Sequence, residues 1–144
     1  MKGIALALLL LCCGWLHADL KRAMAEQNLE KRSGLALENA SAALKGARAA
    51  YDKGDNEEVA KDAAEVLESV ELAFTSLSQS GKNPRRSDWF KKAEISTRDL
   101  SRKIQDFQDQ MSYVDRPLLD KLKARVLEVH EELLLEVMEG KKKQ

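Results

Sequence analysis

His130 is the residue of this chain best suited to chemistry, because imidazole exchanges protons and binds metals near neutral pH. Glu128, Glu131 and Glu132 lie beside it in sequence. Nucleophilic catalysis needs a serine or cysteine held against such a base, and no serine stands at a spacing that would supply one. Di-metal carboxylate bundles place a Glu three residues before a His on each of two helices; here Leu127 holds that position. Zinc spacings and glycine-rich phosphate loops are also missing. The expectation is a protein that is not an enzyme, with no metal and no cofactor, in which His130 is a hydrogen-bonded histidine at the edge of a core.

The remaining reactive groups cluster at the start of the chain. Met1 to Ala18 reads as a secretory signal peptide: Lys2, an apolar run from Ile4 to Leu16 broken only by Gly14, and Leu16-His17-Ala18 before polar Asp19. That run is too short for a membrane span, which takes roughly 20 apolar residues, and Leu11 ahead of Cys12 does not suit a lipid anchor. Cleavage after Ala18 would remove Cys12, Cys13 and His17, leaving His130 as the single histidine and no thiol. An exported chain, periplasmic or secreted, is expected, stabilised by helix packing without disulfides. Charge is balanced at 24 basic and 24 acidic residues, so bulk electrostatics nominate no nucleic acid.

Two surfaces stand out. Lys82, Arg85, Arg86, Lys91 and Lys92 surround Trp89 and Phe90, a mixture that suits an anionic envelope surface such as lipid headgroups, glycans or an acidic partner. The competing reading has Trp89 and Phe90 closing the end of a bundle while the cations are simply solvated. The last helix carries more apolar surface than one packing face requires. Leu127, Leu134 and Met138 fall roughly 60–100° round from Leu119 on a helical wheel, and Leu135 lies further still. These four are the expected interface for a partner protein or a second copy, against a competing reading in which they widen the core face.

The positioning elements are helices. Leu37, Ala40, Leu44, Ala47 and Tyr51 step by three and four, the spacing of one helical face, beside a stripe of Ala36, Ala40, Ala43, Ala47 and Ala50 that lets a partner helix approach closely. Gly54 ends this helix, and Asp55 caps the next, which buries Val59, Ala63, Val66, Val70, Ala73 and Leu77. After the loop Gln79 to Pro84 comes a third helix with Phe90, Ala93, Leu100, Ile104, Phe107, Met111 and Val114. Asp115-Arg116-Pro117 then starts a fourth on Leu119, Leu122, Val126, Val129, Leu133 and Val137, ended by Gly140 before a basic tail, 141–144. The fold class is all-α, an antiparallel up-down bundle of four helices over residues 37–140. Residues 19–36 are expected to extend the first helix loosely, with a kink near Ser33-Gly34, because Leu20 and Met24 are out of phase with the Leu37 face.

Ala18-Asp19-Leu20 followed by Met24 resembles the mature start of the cytochrome b562 family, periplasmic four-helix bundles. That resemblance implies haem held by Met24 and His130. Tyr51, Gly54 and Asp55 between amphipathic helices also resemble the turn of a tetratricopeptide repeat, although no second copy follows at the period of 34 such repeats have. Taken together the residues predict an exported binding or scaffold protein. A small haem- or metal-binding bundle using His130 and Met24 is the alternative.

Overall fold

The computed structural model describes residues 19–140; the expected leader, 1–18, and the basic tail, 141–144, lie outside the described residues. The described residues form five helices: α1 (Leu20–Ala25), α2 (Leu29–Asp52), α3 (Asn56–Gln79), α4 (Asp88–Gln110) and α5 (Asp120–Glu139). A turn of 3-10 helix, Arg116–Leu119, leads into α5, and there is no strand among the described residues. The four long helices run up, down, up and down, as the bundle reading requires.

The first helix breaks at residues 26–28, not at Ser33-Gly34. Asn28 caps α2 by accepting from Lys31 N at 2.9 Å. Glu26 holds the corner: its carbonyl accepts from Arg32 Nε at 2.7 Å and its carboxylate from Asn28 N at 3.0 Å. Ser33 and Gly34 continue inside α2, and Gly34 serves a different purpose. A Cβ there would lie 2.6 Å from Cζ3 of Trp89, so the missing side chain is what lets α4 seat its indole against α2. Nor is this end loose: Ala23, Ser33 and Ala36 are buried.

α2 and α3 form one hairpin and α4 and α5 the other. In the first, Ala36, Ala40, Ala43, Ala47 and Ala50 meet Val59, Ala63, Val66, Val70 and Ala73, all buried, and the two helices approach closely along most of their length. A polar cluster lies in this seam. Asn39 Nδ2 donates to Ser69 Oγ at 3.0 Å and to Glu65 Oε1 at 3.1 Å, and Ser69 Oγ donates to the Glu65 carbonyl at 2.7 Å. The second hairpin is built from larger side chains: Phe90, Leu100, Ile104 and Phe107 on α4, with Leu122, Val126, Val129 and Leu133 on α5. Val114, expected on the third helix's inner face, is exposed instead, because that helix ends at Gln110 and the chain turns before reaching it.

The hairpins stack in parallel. Ser87 Oγ donates to Glu30 Oε1 at 2.9 Å at one end, and Arg48 Nη2 to Gln110 Oε1 at 3.3 Å near the other, so α2 and α4 run the same way. α3 and α5 do likewise, joined by Glu71 with Arg125 and by Asn56 at the start of α3 with Asp115 just ahead of α5. Around the bundle the order is therefore α2, α3, α5, α4, and the α3–α4 connection crosses a diagonal. Tyr51 bolts the far end: its hydroxyl accepts from Ser112 N at 2.8 Å and donates to Asp115 Oδ2 at 3.1 Å, while its ring meets Phe107 edge-on at 5.8 Å. Hydrogen bonds from Ser112, Tyr51 and Asn56 hold the Asp115 carboxyl below its ordinary range.

Candidate functional site

The inner face of α5 is complete with Leu122, Val126, Val129 and Leu133. Residues seven and four apart share a side of a helix, and Leu127, Leu134 and Met138 accordingly line up beside that face, each remaining exposed, at 42%, 37% and 65%. Leu135, one residue on from Leu134 and so about 100° round, is 51% exposed. These positions do not widen the core. They put apolar side chains into solvent on two sides of one helix.

A second surface was not legible in the sequence. α1 and α5 flank the outer face of α3 and leave a groove of about 880 Å³ between them. Leu20 and Met24 form one wall, Leu67, Leu72 and Thr75 the floor, and Lys121, Ala124, Arg125 and Glu128 the other wall. Leu67 and Leu72 lie off the main Val59-to-Leu77 stripe, which is the one sequence signal that α3 has a second apolar side. At the groove's edge Arg125 gathers carboxylates from two helices. Its Nη2 donates to Glu71 Oε2 at 3.1 Å, its Nε also bonds Glu71, and its Nη1 lies 2.8 Å from Glu128 and 3.5 Å from Glu132. The Arg125 hydrogen bond holds the Glu71 carboxyl below its ordinary range, and Glu71 and Glu128 in turn raise the guanidinium's pKa.

The haem-ligand pair implied by the cytochrome resemblance is not brought together. Met24 is 60% exposed and forms part of the α1 wall of the groove over α3. His130 lies on the other side of α5, where its Nδ1 is 3.8 Å from Glu94 Oε1 on α4. That separation is too long for a hydrogen bond. The expected hydrogen-bonded state is therefore corrected at Nδ1, which is buried without a hydrogen-bond partner among the described residues. Glu94 also approaches Arg98 at 3.6 Å. No group of three or more His, Cys, Asp or Glu side chains is placed to hold a metal ion among the described residues.

The basic loop does assemble on one end of the bundle. Lys82, Arg85, Arg86, Lys91 and Lys92 are exposed, Trp89 is half-buried and Phe90 is in the core. Lys92 Nζ sits 5.1 Å from the Trp89 ring centroid, a cation–π distance, and Gly34 occupies part of the ring's surroundings. Trp89 thus fastens α4 to α2, and the cations stand free of the core. Lys91 pairs loosely with Asp88 at 3.9 Å.

No helix among the described residues is long and apolar enough to cross a membrane. No family model, curated protein or solved structure matches the chain.

Proposed function

We propose that this chain is an exported helical-bundle binding protein, a scaffold or adaptor that works through α5. One observation carries the reading: α5 keeps Leu127, Leu134, Leu135 and Met138 in solvent after its inner face is fully packed. Full burial of such a side chain is worth about 1.5–3 kcal/mol, and the part that these four half-exposed groups forgo is what a covering partner would recover. The basic cluster around Trp89 supports a weaker, salt-sensitive contact with an anionic envelope surface at the end of the bundle.

Light scattering of the concentrated chain separates a second copy from a foreign partner, and crosslinking in the native envelope captures the latter. The Leu134→Gln, Met138→Gln double variant is expected to lose either the self-associated species or the crosslinked band. Identical behaviour of variant and parent in both measurements would overturn the reading.

A further inference from the structure

The two seams between the hairpins are charged differently. Where α3 meets α5, opposite charges face each other, Glu71 on one helix and Arg125 on the other. Where α2 meets α4, cation faces cation. A cleft of about 140 Å³ between these helices is lined by Ser41, Leu44, Lys45 and Arg48 from α2 and by Lys103 and Phe107 from α4. Three of the six residues are basic and none is acidic.

The neighbouring carboxylates leave that charge largely uncancelled. Lys103 Nζ lies 2.7 Å from Asp99 Oδ2, but Arg102 takes the other oxygen of the same carboxylate at 2.6 Å, so one anion serves two cations. Arg48 donates from Nη2 to the neutral amide oxygen of Gln110 at 3.3 Å, and its Nε is buried with no acceptor among the described residues. A buried charged donor is costly until it finds one. Lys45 is exposed and forms no ion pair among the described residues. Asp52 and Asp106, about a turn further along α2 and α4, stand outside the lining. Like charges opposed across a cleft repel, and an anion between them removes that repulsion while accepting charge-assisted hydrogen bonds from both helices.

Size and lining narrow the ligand. A cavity of about 150 Å³ holds one small ring, and Leu44, Phe107 and the lysine stems give this cleft an apolar lining beneath its charges. We propose that the cleft binds a small organic carboxylate, with its charged end taken by Lys45, Arg48 and Lys103 and its short apolar body against Leu44 and Phe107. The site shares no residue with the exposed row on α5 and does not depend on it.

The test is isothermal titration calorimetry of the chain with benzoate, benzamide and inorganic phosphate in turn. Benzoate is expected to bind. Benzamide, which keeps the ring and loses the charge, should bind about ten-fold or more weakly, and phosphate, which keeps the charge and lacks the ring, should also bind more weakly than benzoate. Lys45→Glu on α2 and Lys103→Gln on α4, both at exposed positions, should each weaken benzoate by about ten-fold. Lys121→Glu, the same charge change as Lys45→Glu but made on α5, should leave benzoate affinity unchanged. The inference is overturned if benzoate does not bind, if benzamide or phosphate matches it, or if Lys45→Glu binds benzoate as the parent does. Equal loss in Lys45→Glu and Lys121→Glu would mark a response to net charge alone and overturn the cleft as the site.

Discussion

The two hairpins reach the same topology by opposite packing strategies. α2 and α3 meet through alanine and valine, with Ala36, Ala40, Ala47, Val59, Val66 and Val70 wholly buried, and Asn39 and Ser69 placed in the seam. α4 and α5 meet through Phe90, Ile104, Phe107 and Leu133. Small side chains give close backbones and leave little room to add volume; large ones fill a wider gap and leave a hole when removed. The lesson is that stability and availability are divided between them. The small-residue hairpin turns α3's outer side into the floor of a groove, and the large-residue hairpin supplies the helix with exposed leucines.

Truncation should strike the second hairpin hardest. Phe107→Ala removes a ring that is 1% exposed and is expected to cost about 3–5 kcal/mol by urea denaturation. Enlargement should strike the first: Ala47→Leu, at a position with no exposure, is expected to cost about 1–3 kcal/mol. A neutral Ala47→Leu would show that α2 and α3 have slack between them and would break the comparison. The joint between hairpins comes next. Tyr51→Phe keeps the ring against Phe107 but removes the hydroxyl that links Ser112 and Asp115, for an expected loss of about 1 kcal/mol.

The smallest effect belongs to Glu71, which joins α3 to α5 through Arg125. Its carboxyl is held below the ordinary 4.5, so the folded state favours the charged form. The contribution is fully present above that ordinary value and is lost as pH falls through the lowered one. With the Glu71 side chain 41% exposed, Glu71→Gln is expected to cost under about 1 kcal/mol near neutral pH. The gap between variant and parent should close in acid, read from urea midpoints across pH.

Much of the fold was legible because it is written in local spacing. Leu37, Ala40, Leu44 and Ala47, the Val59-to-Leu77 row, and Leu122, Val126, Val129 and Leu133 are buried where their period placed them. What the period could not show was anything set by a distant residue. Ser33-Gly34 looks like a helix breaker, yet the reason for the glycine is Trp89, far along the chain. The true break rests on Glu26 and Arg32 bonding across a corner. Parallel stacking of the hairpins depends on which faces meet, and an up-down order is compatible with either arrangement. For the candidate surfaces, the exposed α5 leucines followed from counting apolar residues beyond one face. The groove did not, since it exists only where α1 and α5 stop short of covering α3.

The contact between Gly34 and the Trp89 ring has a consequence for how this sequence can drift. Any side chain at position 34 collides with the indole, and a smaller residue at 89 leaves a void beside a bare backbone. Neither site can change profitably alone. Among relatives of this chain the two positions should therefore travel as a pair: glycine wherever tryptophan is kept, and a larger residue at 34 only in lineages that have already given the ring up.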